Sequence, residues 1–457
     1  MRVNEEFIKS GFFWLPNAPQ NKFAGTLCIQ DGGDIKLELV GDLSFPNNPE
    51  AIDRINGHIE NVGFVTIDEC ISTGITVNNI IKARFIAHKV LCHMPFDDND
   101  NELAFNTIRF SVEGLEKWIS ISGIEIDRAN FEPNYTLKYK LPSAITHSIN
   151  DDCAITIGFQ CKQHSFAIPS DFKIEQKTYL EVTYKNEVEL DELISIASKI
   201  TSFICLATDE IVNIQDVSVQ SHKITEEISG IKRPINIQLY YPSASFSEQI
   251  PNIYPHKFLF NYHDIKGNFG NFIHKWLEVY DISSPTLFLY FSAKSDTHRY
   301  LDGKFMALVQ GIETFHRRIN NHETLMDKSV FDELVDSLIS SCPEEHQKWL
   351  EGRLKFGNEI PLMKRISAII EPFKSHFGGK RRADRLAGKI VVTRNYMTHY
   401  DPNLETRVAK GRDLLNLCYK IESLIQLHLL NIIGFDYETI DKIIIKNRLL
   451  KQKLDTV

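Results

Sequence analysis

The strongest constraint in this chain is a change of hydrophobic period near residue 256. Upstream, apolar and polar residues alternate: in TLCIQDGGDIKLELVG, Ile35, Leu37 and Leu39 are separated by Lys36 and Glu38, and the DGGD at 31–34 is a hairpin turn signal. Downstream, Phe305, Leu308, Ile312, Phe315 and Ile319 recur at spacings of 3, 4, 3 and 4, which lines one face of a helix of about five turns. A strand alternates its two faces at every residue, whereas a helix returns to one face every 3.6, so the two patterns demand different architectures. The expected class is α+β, with a β-rich N-terminal region at 1–255 and a helical region at 256–457 whose core runs from about 297 to 436.

Further β-branched and aromatic runs predict strands at 63–67, 106–112, 135–141, 154–160, 178–184 and 235–241, broken by one helical segment at 190–207. Beyond 256, Phe269, Phe272, Ile273 and Trp276 fall at helical spacing, with Trp276 expected in the core, and PTLFLYFSAK reads as a strand or linker. The next helix is expected to open at Ser329, with Asp332 as a relative of a capping box, and to carry Leu334, Leu338 and Ile339. Others are expected near 349–356 and 362–373. A helix from Asp384 to about Tyr400 should dock through Leu386, Ile390, Met397 and Tyr400, and a long helix from Asp413 to Ile433 should close at Gly434. These helices predict an antiparallel bundle.

The net charge of −9 conceals an asymmetry: residues 301–457 hold 25 Lys plus Arg against 21 Asp plus Glu. Within them, Lys374, Lys380, Arg381, Arg382, Arg385, Lys389 and Arg394 face a single acid, Asp384, between 374 and 394. This is where a polyanion would bind, although a charge run is more often a solvated face. The eight cysteines are scattered without a CxxC pair, and neither Cys161–His164 nor Cys92–His93 has a second half at zinc-like spacing, so reduced thiols are expected and no metal or cofactor. The acidic stretch at 96–102 lacks the spacing and glycine of a calcium loop and reads as a solvated turn. Glu5 and Glu6 stand where a signal peptide would be basic, and the longest apolar run, 427–435, is far short of the roughly 20 residues of a membrane span. A cytoplasmic location with no membrane contact is expected.

The stretch VVTRNYMTHYDPN at 391–403 carries Arg394 and His399 five residues apart, ahead of Pro402. An arginine fork suits phosphate oxygens, and histidine exchanges protons near neutral pH, so the pair suits metal-free attack of an RNA 2′-hydroxyl on its phosphate. The plainer reading is a cation favoured by the helix C-terminal dipole and an arginine paired to a bundle carboxylate such as Glu313. Five helical residues turn roughly 500°, leaving the two groups roughly 140° apart. Either the last turn unwinds at His399, or one chain's arginine meets another's histidine.

RNYMTH matches the Rx4-6H motif of HEPN-domain ribonucleases. KFMALVQGIETFHRR at 304–318, then RNYMTHYD at 394–401, then the final helix, resembles the ApeA-like HEPN subgroup. GFFWLPNAPQNKFAGTL, LELVGDL and FSVEGLEKWISISGI resemble the ApeA N-terminal domain, so the resemblance covers nearly the whole chain. It implies a metal-independent endoribonuclease of bacterial anti-phage defence, acting by abortive infection through paired HEPN domains. Arg394 and His399 would be catalytic, with Asn395, Glu313, His316 and Tyr400 in support; Glu313 and His316 would orient Arg394 or hold the interface. Lys380, Arg381, Arg382 and Arg385 would form an RNA phosphate track. The implied partners are RNA, with tRNA as a candidate, a phage-derived trigger sensed by the N-terminal region, and a second copy of the chain. The rival reading is a non-catalytic HEPN module that binds nucleic acid or protein.

Overall fold

The computed structural model describes residues 1–41, 43, 51–94, 96, 103–128, 135–164, 173–228, 230–243, 246–295, 298–319 and 324–455. Contacts divide the chain into two compact units, Met1–Leu277 and Glu278–Val457.

The first unit begins with six antiparallel strands: β1 (Phe7–Trp14), β2 (Phe23–Ile29), β3 (Ile35–Val40), β4 (Ala51–Ile59), β5 (Gly63–Val77) and β6 (Ile81–Cys92). They follow one another in the order β6-β3-β2-β1-β4-β5, and β5 pairs again with β6, which closes a six-stranded barrel. Its interior is filled by Phe13, Leu27, Ile29, Leu37, Ile55 and Val65, among others. The alternation read in β3 is real: Ile35, Leu37 and Leu39 are buried, while Glu38 on the other face pairs with Lys82 at 2.6 Å. The turn before β3 needs glycine, because Gly33 has φ +88° and a Cβ there would lie 2.0 Å from the Tyr241 carbonyl oxygen.

Beyond the barrel come β7 (Ala104–Val112), the short α1 (Leu115–Ile119), a separate hairpin of β8 (Ile124–Arg128) with β9 (Tyr135–Tyr139), then β10 (Ile145–Ser148), β11 (Cys153–His164) and β12 (Lys173–Glu189). After α2 (Leu190–Thr208) follow β13 (Ile214–Gln220), the ribbon of β14 (Thr225–Ile228) with β15 (Ile231–Pro234), and β16 (Ile237–Tyr240). The sheet continues from the barrel as β6-β16-β13-β7-β12-β11-β10. Helix α2, apolar on much of its surface, packs on β7 and β12.

Residues beyond 256 also belong to this unit. Helix α3 (Tyr262–Ile265) and the start of α4 (Phe269–Lys294) bring Phe260, Tyr262 and Phe269 around the fully buried Trp118. Trp276 is likewise buried, its indole N–H donating to the Lys199 carbonyl at 2.7 Å. This shared aromatic packing explains why the contact division falls after Leu277, further along than the change of period.

PTLFLYFSAK is neither strand nor linker but the second half of α4. Ser283 leaves helical geometry (φ −120°, ψ 20°) just before Pro285, so the helix kinks there and resumes. The second unit then contains α5 (Leu301–Ile319), α6 (Lys328–Ser340), α7 (Glu344–Leu354), α8 (Leu362–Ile370), α9 (Lys380–His399), α10 (Gly411–Ile433), α11 (Tyr437–Lys446) and α12 (Arg448–Asp455). Helix α5 packs against α8, α9 and α10 through Leu308, Ile312 and Phe315; Ile319, at its end, is exposed. Helix α6 starts one residue before Ser329 with Asp327 at its cap, so the Ser329–Asp332 box does not form, and Leu334 and Leu338 are exposed. Neither α6 nor α7 buries a residue.

Tyr400 does not share the docked face of α9. It sits in the left-handed cap that ends the helix and is 65 % exposed, whereas Leu386 and Ile390 are buried. Helix α10 does close at Gly434, which has φ +125°. Its Glu422 is buried among three ammonium groups: Lys453 at 2.8 Å, Lys294 at 3.4 Å and Lys304 at 4.0 Å.

All eight cysteines are free thiols, and burial pushes Cys92 and Cys418 up to about 12. Among the described residues no group of three His, Cys, Asp or Glu side chains converges as a metal site, and no helix is long and apolar enough to cross a membrane. Residues 97–102 of the acidic stretch lie outside the described residues.

Candidate active site

Helix α9 positions the Arg394–His399 pair, and local chemistry sets both its ends. It follows Gly378 and Gly379, both at positive φ; a Cβ on Gly378 would lie 2.6 Å from the Arg382 side chain. It stops because Pro402 holds Asp401 extended (φ −65°, ψ 115°), leaving Tyr400 to close the helix at φ 51°. The following loop is tied back to α9, with the Ala409 amide donating to Thr393 Oγ1 at 3.1 Å and Lys389 Nζ donating to the Arg407 carbonyl at 2.9 Å.

Arg394 is half-buried and makes no ion pair among the described residues; its guanidinium donates to Asn395 Oδ1 at 3.3 Å. With Met306, Gln310, Glu313, Thr314 and Arg317 of α5 it lines a cavity of about 290 Å³. Glu313 shares this cavity but is not Arg394's partner. Arg317 holds it at 3.3 Å and also reaches Glu359 at 2.8 Å, contacts that raise the Arg317 pKa, the Glu359 hydrogen bond foremost. Arg394 is therefore a cation facing a polar cavity whose carboxylate is already engaged.

His316 is buried in the bundle and does not line that cavity. Its Nδ1 lies 3.3 Å from the guanidinium of the buried Arg365, whose Nε donates to the Ile360 carbonyl at 2.9 Å. Burial, then the charge of Arg317, lowers the Arg365 pKa. Nearby, His428 donates from Nε2 to the Ile369 carbonyl at 2.7 Å between the rings of Phe315 and Phe373, and burial lowers its pKa.

His399 is the exposed last residue of α9 and is not among the groups lining Arg394's cavity. The last turn does not unwind: the Thr398 hydroxyl donates to the Arg394 carbonyl at 2.9 Å, and the Tyr400 amide closes on the Tyr396 carbonyl. The two groups thus keep their offset of roughly 140°. Tyr400 packs its ring against Tyr396, with centroids 5.5 Å apart.

A second, larger hollow of about 1270 Å³ lies on another side of α9. Arg382 and Arg385 line it; Lys380 and Arg381 are exposed but do not. Lys389, Arg407, Lys420 and Lys451 complete its basic lining. The last three were missed in the sequence because α10, α12 and a loop bring them together; only Lys389 stood in the basic run.

Two family models match the chain: ApeA N-terminal domain 1 over residues 9–276, and Apea-like HEPN over residues 306–439. No curated protein and no solved structure gives a significant match. The match over residues 306–439 makes the helical region a HEPN domain, a class generally made up of ribonucleases. The chain belongs to the ApeA-like HEPN family, whose members are anti-phage nucleases.

Proposed function

We propose that the protein is a metal-independent endoribonuclease acting by abortive infection, with tRNA as a candidate substrate and Arg394 and His399 as its catalytic residues. The observation that carries this reading is the position of both groups on the family-matched helix α9: an exposed histidine at its end, and an arginine that has no ion pair among the described residues and faces a polar cavity of about 290 Å³. His399 would take the proton of a ribose 2′-hydroxyl as it attacks the adjacent phosphorus, and Arg394 would neutralise charge on the phosphorane. The P–O5′ bond breaks, the 5′-oxygen takes up a proton, and the products are a 2′,3′-cyclic phosphate and a 5′-hydroxyl.

Because the two groups diverge on one unbroken helix, the working site is a composite of one chain's Arg394 and a second chain's His399. The unburied helices α6 and α7 support pairing, since they expose Val330, Leu334, Leu338 and Trp349. The β-rich unit serves as the sensor of a phage-derived trigger or as a restraint.

The test is incubation of purified protein with RNA in EDTA, with the ends of the products identified. Cyclic phosphate ends, absent with both Arg394→Ala and His399→Ala, support the enzyme. The divergence within one chain also favours the rival, a HEPN module that binds nucleic acid without cutting; binding with no cleavage in cells challenged to induce toxicity would establish that rival.

A further inference from the structure

We propose that the 1270 Å³ hollow between α9 and helices α10 to α12 is a groove for single-stranded RNA that delivers the strand to His399. This rests on the nuclease reading for the identity of the strand, but its evidence is separate. Six cations line the hollow: Arg382, Arg385, Lys389, Arg407, Lys420 and Lys451. Among the described residues none of them forms an ion pair. Many other basic residues of this unit are paired: Lys294, Lys304 and Lys453 surround Glu422, Lys374 meets Glu371, Lys410 meets Glu405 and Lys442 meets Glu438, whereas Lys380, Arg381, Arg412 and Arg448 form no ion pair among the described residues and stand outside the hollow. Three carboxylates also line the hollow, Asp413, Asp441 and Asp455, and Asp441 is engaged by His376 at 2.8 Å. Cations gathered without ion pairs repel one another, and at Lys420 burial, first, and the charge of Arg382 lower the pKa while Asp455 opposes them. A polyanion relieves that repulsion.

Size and lining select the anion. The volume exceeds the ~300–1,000 Å³ of ordinary small-molecule sites, so the fitting ligand is extended. Phe377, Leu386, Val392 and Leu417 give the hollow an apolar component, suited to unpaired bases and of no use to a duplex, which offers phosphates and sugars.

The helix supplies direction. Arg385, Lys389, Val392, Tyr396 and His399 follow one another at spacings of 4, 3, 4 and 3, a stripe confined to roughly 80° of the α9 surface. Three of these line the hollow, Tyr396 is a partly exposed aromatic beyond it, and His399 ends the stripe. Arg394 lies roughly 180° from Arg385 around the same helix. A strand held in the groove therefore reaches His399 and not the Arg394 of its own chain.

The experiment uses the full chain in a His399→Ala background and a fluorescent single-stranded RNA, with affinity read by anisotropy across a salt series. Arg385→Gln combined with Arg407→Gln, and separately Lys451→Gln, remove exposed charges at little risk to folding. Each lost contact is expected to weaken binding several-fold at low salt and to flatten the slope of log K against log salt by about 0.7. Lys442→Gln, outside the groove and paired with Glu438, serves as the control and should bind as the parent does. Unchanged affinity and slope in the groove variants, no RNA binding by the parent, or tighter binding of a duplex of equal length would each overturn the proposal. The two readings fail separately. RNA held in the groove by a wild-type chain that never cuts leaves the groove standing and removes the nuclease, whereas groove variants that cut and bind like wild type do the reverse.

Discussion

Arg394 and His399 lie on one unbroken helix, five residues and roughly 140° apart, with Arg394 facing a cavity against α5 and His399 exposed at the helix end. If two chains share each site, variants lacking different halves should rescue one another. A mixture of Arg394→Ala and His399→Ala chains, exchanged under mild denaturation, is expected to regain up to about a quarter of wild-type cleavage, while each alone stays inactive. The fraction assumes random pairing: half the dimers are mixed, and each mixed dimer has one intact site. No rescue from a mixture shown to contain mixed dimers would place the whole site in one chain.

Glu422 is the buried anchor of three lysines, at 2.8, 3.4 and 4.0 Å. Removing one member of a buried ionic cluster strands the others, which typically costs about 3–5 kcal/mol. Glu422→Ala should lower the urea midpoint of the helical unit accordingly. A change below about 1 kcal/mol would show that the ammonium groups simply turn outward to water.

His428 gives the helical unit a pH dependence with a definite sign. Burial lowers its folded pKa, with a smaller contribution from His316, so the unfolded chain binds a proton where the folded chain does not. Stability from neutral His428 is present above the ordinary value of about 6.5 and drains away as pH falls through and below it. The melting temperature should therefore drop between pH 7.5 and pH 5.5. His428→Gln, whose amide can still donate to the Ile369 carbonyl, should shrink that drop; an identical drop in the variant would assign it to other groups.

Gly388 sits inside α9, and a Cβ there would meet nothing within 4 Å. Alanine is the better helix former and narrows the unfolded ensemble, so Gly388→Ala should stabilise the protein by about 0.5–1 kcal/mol. Calorimetry checks the sign. A loss of stability would mean that the backbone at 388 needs the freedom of glycine.

Much of the architecture was legible from local pattern. The stripe Phe305, Leu308, Ile312, Phe315 marked α5, the DGGD turn marked the β2–β3 hairpin, and Gly434 marked the end of α10. Each depends on residues a few positions apart, whose backbone preferences act within one element. Where two rules competed locally the reading failed: Pro285 looked like a break but only kinks α4, and Tyr400 matched the docked face of α9 but leaves it in the cap.

The sequence by itself determined the change from strands to helices, the helix that carries Arg394 and His399, and the angle between them, because all three follow from spacing along the backbone. Only the tertiary structure decided that β5 returns to β6 to close a barrel, that His316 turns inward to Arg365, and that Arg382, Arg407, Lys420 and Lys451 gather around one hollow. Those outcomes depend on groups far apart in the chain being brought together by the burial of apolar faces, and no local spacing encodes which distant charges that burial leaves side by side.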